Sequence, residues 1–340
     1  MTAEDFTALL KRVAGGETLD AEQSARAFGA IMAGEVSEIR IAALATALAV
    51  RGPTVDEIVG AARAMRGAMQ SIEANPYAID LCGTGGDGIG TLNISTACAF
   101  VVAACGVPVA KHGNRNMSSR SGTADCLEAL GVTIALSPAG AARCLREAGL
   151  CFLFAQAYHP AMKYAAPVRR ELGFRTIFNL LGPLSNPARV RRQLIGVYDK
   201  TWCVKLAEAL KRLGAERAWV VHGDGLDEIA TSGPSQVAIL EDGKVTTREI
   251  GPEAAGLSWS PLTALAGGTA EDNAAALRRL FDGETGAYRD IVLINSAAAL
   301  IVAGKAADLR DGAMLAAGAI ESGAAKAKLE ALVAVSKAAA

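Results

Sequence analysis

The run Gly83-Thr84-Gly85-Gly86-Asp87-Gly88 follows the apolar stretch Ala78-Ile79-Asp80-Leu81-Cys82, and no other feature constrains the fold as much. A short buried strand that empties into glycines must turn sharply and let its backbone come close to a partner. The literal G-x-G-x-x-G spacing suggests a dinucleotide fingerprint, but two checks count against it. In that fingerprint the helix starts inside the motif, so that its N-terminus meets the pyrophosphate. Here Gly88 and Gly90 keep the loop open, and no helix starts convincingly before Ile94. The acid expected about 20 residues further on, for a ribose hydroxyl, is replaced at the end of the next strand by Lys111-His112. A lysine could serve a 2′-phosphate, so an NADP enzyme stays open, although the loop length fits it poorly. A long glycine loop suits a phosphorylated sugar wrapped by backbone amides. Asn93, Ser95 and Thr96 would then be donors at the mouth of the next helix. A plain turn capped by Asn93 is the alternative.

Strand and helix signals alternate around this loop. A helix is predicted from Ile94 to about Cys105, a strand around Val107–Ala110, and a helix opened by Ser137-Pro138. Strands at Cys151–Phe154, Gln193–Val197 and Ala218–Val221 follow, then a hairpin of Val237–Leu240 and Val245–Ile250. From Ala270 onward the chain is helical. This predicts an α/β fold: a mainly parallel, mixed sheet covered by helices. Residues 1–74 carry no strand signal, and Asp20 with Gln23 and Thr54 with Glu57 resemble capping boxes. They form a small all-helical domain, which the amphipathic segment from Pro160 to Gly173 is expected to join (about 160–190 in all). The α/β domain is expected over 75–340.

The 34 basic and 35 acidic residues of this 340-residue chain give a net charge of −1, so nothing draws it to nucleic acid or membrane. Its seven cysteines are scattered through apolar runs without a CxxC pair, which predicts reduced buried thiols. No run has membrane-spanning length and no secretory signal is read, so a soluble cytoplasmic protein is expected.

Two further segments carry chemistry. Lys111-His112-Gly113-Asn114-Arg115-Asn116-Met117-Ser118-Ser119-Arg120-Ser121-Gly122 places cations, amides and hydroxyls directly after a strand. That density of donors suits phosphate and pyrophosphate. Asp227-Glu228, after the strand Ala218–Val221, could hold magnesium through oxygen ligands, or could be the acidic first turn of a helix beginning near Ile229. His112 and His222 could titrate as bases, but both read better as hydrogen-bonded strand-end residues. Arg169-Arg170 lies on a predicted helix and could reach a carboxylate in bidentate fashion, or simply face solvent.

Taken together, these segments resemble anthranilate phosphoribosyltransferase. The resemblance runs through Asp80–Asp87, Asn93-Ile94-Ser95-Thr96, Lys111–Ser119, His159-Pro160-Ala161-Met162, Arg169–Gly173, Asn179-Leu180-Leu181-Gly182-Pro183-Leu184-Ser185-Asn186-Pro187 and Gly225-Leu226-Asp227-Glu228. It covers nearly the whole chain and implies a nucleoside phosphorylase/phosphoribosyltransferase-like fold, a homodimer and a step of tryptophan biosynthesis. Carried over by position, it implies that phosphoribosyl pyrophosphate is held by Gly83, Gly86, Asp87, Thr91, Asn93, Ser95, Thr96, Lys111, Gly113, Asn114, Arg115, Ser118, Ser119 and Thr123. Anthranilate would meet Gly83, Asn114 and Arg169, and Mg2+ would meet Ser95, Asp227 and Glu228. The chain departs from the family's common loop at Asn116 and Met117, and has Thr123 where serine is frequent. No catalytic acid or base is implied.

Overall fold

The computed structural model describes residues 2–85, 89–115 and 121–340. The expected site residues Gly86, Asp87, Ser118 and Ser119, together with Asn116 and Met117, lie outside these ranges. Four helices come first: α1 (Ala3–Ala14), α2 (Ala21–Met32), α3 (Glu38–Arg51) and α4 (Val55–Ala68). The capping boxes at Asp20/Gln23 and Thr54/Glu57 open α2 and α4 as the sequence predicts. Glu57 does more than cap. Its buried carboxylate also accepts the Leu19 amide and pairs with Arg51, tying α4 to the start of α2.

Strands and helices then alternate through β1 (Ile79–Gly83), α5 (Ile94–Ala104), β2 (Val109–Gly113), α6 (Thr123–Ala129), α7 (Pro138–Ala148) and β3 (Leu150–Phe154). Three short helices follow, α8 (Ala155–Tyr158), α9 (Ala166–Leu172) and α10 (Phe178–Leu181), and then β4 (Arg192–Gly196), α11 (Trp202–Arg212) and β5 (Arg217–Gly223). The predicted hairpin is β6 (Ser235–Glu241) and β7 (Lys244–Ile250), and the chain ends with α12 (Ala270–Phe281), α13 (Ala287–Val302), α14 (Leu309–Glu321) and α15 (Ala324–Ala338).

The seven strands among the described residues form one sheet, in the order β3-β2-β1-β4-β5-β6-β7. The strands from β3 to β5 in that order run parallel, and β6 and β7 are antiparallel. Alternate residues of the central strands feed two cores. Leu81, Leu194, Trp219 and Val221 pack with α5 and α12 to α15, while Cys82, Ile195, Ala218 and Val220 face α11 and the first four helices. Ala165, Val168, Phe178 and Leu181 share that second core, with α9 packed on α3 and α10 on α4.

The chain leaves β1 toward β2 and β3, then starts again on the other side at β4. That reversal makes the carboxyl ends of β1 and β4 a topological switch point, where open α/β sheets bind ligands.

Three sequence expectations need correction. β2 begins at Val109 and runs through Lys111, His112 and Gly113, which the sequence placed in the loop. β5 runs on through His222 and Gly223. No helix begins near Ile229, because the Ile229 N–H and C=O are both taken by the side chain of Asn295.

Candidate functional site

Four strands, β1, β2, β4 and β5, end in glycine at this edge of the sheet, and the glycines of three of them lie against the acidic segment. Gly83 of β1 stands in register with Gly196 of β4, and Gly223 closes β5. None of the three has a positive φ; what they share is a lack of room. A Cβ on Gly83 would lie 2.1 Å from Asp227 Oδ2, on Gly196 1.5 Å from the Asp227 carbonyl oxygen, and on Gly223 2.8 Å from that of Glu228. The missing side chains therefore let the acidic segment lie across the strand ends. Two amide and hydroxyl clamps hold it there. Asn295 on α13 accepts the Ile229 N–H at 2.9 Å and donates to its carbonyl at 2.8 Å, and Ser235 Oγ accepts the Ala230 N–H at 2.9 Å.

Asp227 reaches the glycine loop, where its Oδ2 accepts the Gly85 N–H at 2.9 Å. Glu228 lines a narrow cleft with Ser95, Cys98, Gly196 and Asn295. Ser95 Oγ in turn accepts from Lys111 Nζ at 3.2 Å, and the same ammonium donates to the Leu81 carbonyl at 2.6 Å. Gly83, Ser95, Lys111, Asp227 and Glu228, separated in sequence by up to four strands, thus meet at one end of the sheet.

This donor set fits magnesium. It offers hard oxygens from two adjacent carboxylates and a hydroxyl, and burial pushes the neighbouring Cys98 thiol well up, so no soft thiolate competes. Among the described residues no group of three or more His, Cys, Asp or Glu side chains forms a metal cage. Magnesium that shares its coordination with phosphate oxygens and water needs none.

Behind the site, Asp80 is fully buried, and its carboxyl is pushed up by burial against the pull of Asn186 and Lys111. Its oxygens accept from Asn186 Nδ2 at 2.7 Å and the His112 N–H at 3.0 Å. His112 Nδ1 lies 3.1 Å from the Gly182 carbonyl, and its Nε2 lies 3.2 Å from His159 Nε2. Both imidazoles are held below their usual value, by burial and, for His112, by its histidine neighbour as well. His222 Nδ1 sits 2.8 Å from the Val197 carbonyl. These histidines are hydrogen-bonded members of strand ends and turns.

The loop from 89 to 93 is tied down from outside. Thr91 bridges Ala266, the Leu92 N–H donates to Leu265 at 3.0 Å, and the Gly267 N–H donates to Gly90 at 2.9 Å. Asn93 occupies the N-cap position of α5, yet its side chain does not cap the helix. Its Oδ1 instead accepts Asn273 Nδ2 at 2.9 Å and stands 3.5 Å from Ser121 Oγ, while its carbonyl accepts the Tyr288 hydroxyl at 3.2 Å. The Ile94 N–H donates to the Leu92 carbonyl at 2.8 Å, and the Ser95 and Thr96 amides of the first turn take no cap from the Asn93 side chain.

The remaining expected residues are placed less directly. The Thr96 hydroxyl is buried beside Phe100 and Phe152, with no hydrogen-bond partner among the described residues. A Cβ on Gly113 would lie 2.9 Å from the Phe152 ring and 3.4 Å from Thr123 Cγ2. Asn114 Oδ1 accepts the Arg115 N–H at 2.8 Å and lies 3.4 Å from Gln156 Nε2, which turns the Asn114 amide nitrogen away from both. The Arg115 guanidinium is engaged by Asp125 and Glu128 at 2.6 Å each. Arg169 is half-buried on α9, which packs on α3.

Asn186, Asn273 and Asn295 are functional supports that the sequence reading missed. A lone buried amide within the apolar run Ile291–Val302 is a signal for Asn295. Asn273, in an ordinary-looking first turn, offers none.

A mixed, mainly parallel sheet with a glycine-lined switch point, joined by an N-terminal helical bundle, is the architecture of a glycosyl transferase family. Residues 7–69 match the family model described as "Glycosyl transferase family, helical bundle domain", and 75–326 match "Glycosyl transferase family, a/b domain". The anthranilate phosphoribosyltransferase of Rhodopseudomonas palustris (strain HaA2) is 56% identical over 336 residues, covering 98% of this chain and 99% of the relative. The crystal structure of the Thermus thermophilus anthranilate phosphoribosyltransferase is similar, with a TM-score of 0.92 and 46% identity over 96% of this chain and 99% of that one. The Saccharomyces cerevisiae enzyme, solved in complex with PRPP and Mg, gives a TM-score of 0.90 at 25% identity, with 99% of both chains covered. The chain belongs to the anthranilate phosphoribosyltransferase family.

Proposed function

We propose that the protein transfers the 5-phosphoribosyl group of phosphoribosyl pyrophosphate to the amine of anthranilate, releasing pyrophosphate, in tryptophan biosynthesis. The observation that carries the reading is the seat of Asp227-Glu228 across Gly83, Gly196 and Gly223, against the glycine loop and opposite Ser95. The family supplies the two substrates, and the yeast relative, solved with PRPP and Mg, supports magnesium.

Asp227, Glu228 and Ser95 would hold magnesium, which when bound neutralises charge on the pyrophosphate as the glycosidic bond breaks. Gly83, Thr91, Asn93, Ser95, Thr96, Lys111, Gly113, Asn114, Arg115 and Thr123, with Gly86, Asp87, Ser118 and Ser119 beyond the described residues, hold the donor. The first turn of α5 and the Lys111 ammonium add positive potential at the same end of the sheet. Asn114, Gly83 and Arg169 orient anthranilate, the guanidinium pairing with its carboxylate. An aromatic amine is already a competent nucleophile, so positioning and leaving-group stabilisation do the catalysis and no general base is assigned. The active form is a cytoplasmic homodimer with its small helical domain over 1–74 and about 160–190, and its α/β domain over the rest of 75–340. Among the described residues no helix is long and apolar enough to cross a membrane.

The test follows the loss of anthranilate fluorescence with phosphoribosyl pyrophosphate and magnesium, with thymidine and phosphate in a parallel arm. Turnover that needs all three components of the first arm is expected. Turnover of thymidine alone would instead indicate a nucleoside phosphorylase.

A further inference from the structure

Asn273 sits on α12, outside every segment that the resemblance assigns to a ligand, and is 1% exposed. The Gly268 N–H donates to its Oδ1 at 2.8 Å. A backbone N–H can only donate, so this contact fixes which way the Asn273 amide faces. Its Nδ2 must then point at Asn93, where it donates to Oδ1 at 2.9 Å. The second amide is fixed by the first: with Oδ1 turned inward to Asn273, and Ser121 Oγ on the same oxygen at 3.5 Å, the Asn93 Nδ2 is directed the other way. The same contact keeps the Asn93 side chain from capping α5.

We infer that Asn273 is a positioning residue whose amide, set by the Gly268 N–H, turns Asn93 so that it presents an N–H donor, never a carbonyl, to an anionic oxygen of the phosphoribosyl donor. The inference rests on the proposed function for the role of Asn93 and adds the part that sets its polarity. Without such a relay the Asn93 amide could flip at little cost, and half of its orientations would set a carbonyl dipole against phosphate. A polarity imposed from a backbone N–H two residues deep costs no reorganisation when the ligand arrives.

The test is Asn273→Asp, which keeps the volume and keeps an acceptor for Gly268, but offers Asn93 an oxygen. The Asn93 amide must then rotate to donate inward, which leaves its carbonyl facing the ligand. The KM for the phosphoribosyl donor is expected to rise about tenfold or more, with the anthranilate KM changed by less than about twofold, whatever the buried carboxylate takes from the Tm. Asn273→Ala, which adds no charge, gives a smaller rise with the same selectivity. Both variants are repeated in an Asn93→Ala background, where the relay has nothing to turn and neither should raise the donor KM further. An equal rise in that background would assign the effect to the new charge and overturn the relay. So would a fall in Tm with both KM values moving together, the mark of a purely structural role. If Asn93→Ala alone leaves the donor KM unchanged, the assignment of Asn93 fails and the relay fails with it. If Asn93→Ala raises that KM and Asn273→Asp does not, only the relay fails.

Discussion

Gly83→Ala adds a single methyl group where the glycine loop meets the acidic segment. Its Cβ would stand 2.1 Å from Asp227 Oδ2 and 2.8 Å from Cγ. To restore ordinary contact at about 3.5 Å, the carboxylate must withdraw by more than an ångström, and its bond to the Gly85 N–H at 2.9 Å is lost. A hydrogen bond to a charged group contributes about 1.5–3 kcal/mol, and displacing a metal-orienting contact typically costs about 10–100-fold in affinity. The obstacle is the far end of a rotatable side chain, so the fold should lose no more than about 1 kcal/mol. Gly196→Ala is the contrast. Its Cβ would meet the Asp227 carbonyl at 1.5 Å, where only the backbone can yield, and about 1–3 kcal/mol of stability should go with it. The assay is the magnesium dependence of anthranilate consumption, paired with magnesium-induced shifts in Tm for each variant. Gly83→Ala should need at least about tenfold more magnesium for half-maximal rate, while melting close to the parent protein in the absence of metal. An unchanged magnesium profile, or a melting point as low as that of Gly196→Ala, would refute the reasoning.

Three further outcomes are expected. Arg169→Ala should raise the anthranilate KM by about tenfold or more and the donor KM far less; steady-state kinetics showing equal effects would remove Arg169 from the acceptor site. Asn186→Ala strips buried Asp80 and the Ala110 carbonyl of a shared donor, and urea titration should show a loss of about 2–4 kcal/mol. A loss below about 0.5 kcal/mol would mean the carboxylate finds another partner. Because His112 and His159 are held neutral below their ordinary value of 6.5, the unfolded chain takes up protons first as the pH falls. Their contribution is therefore complete above that value and is lost progressively below it. His159→Leu should flatten the stability slope between pH 6 and 5 by up to about 1.4 kcal/mol per pH unit; matching slopes in chemical denaturation would show that His159 is already protonated in the fold.

The sheet, the hairpin and the late start of α5 were legible because they rest on local chemistry: apolar runs, turn residues and the two glycines that delay the helix. The polar strand ends were legible only in part. His112 and His222 read as hydrogen-bonded strand-end residues, and so they are, but the strands were expected to stop at Ala110 and Val221. Instead β2 and β5 run on through Lys111, His112 and His222, whose side chains donate to the carbonyls of Leu81, Gly182 and Val197. Those partners lie far away in the chain, and no local pattern announces them. The acidic pair shows the same limit. Its composition suits the first turn of a helix, but Asn295 takes the backbone groups that such a helix would use, and the segment bends across the strand ends instead. Motif residues were thus visible as types, while their supports on α12 and α13 became visible only through packing.

The reversal of direction at β6 has a consequence for how this site could be altered. A strand continuing the parallel order would have required the chain after Gly223 to depart through a helix and return at the far edge of the sheet. Because β6 pairs antiparallel with β5, all of 224–234 stays at the carboxyl edge, and both of its ends are anchored in neighbouring strands. The acidic segment is therefore a bridge rather than a flap: its length is set by the sheet, and its two side chains can be exchanged without rebuilding what carries them. With the magnesium role proposed for Asp227 and Glu228, exchanging these two side chains should consequently change metal preference far more easily than the site could be moved.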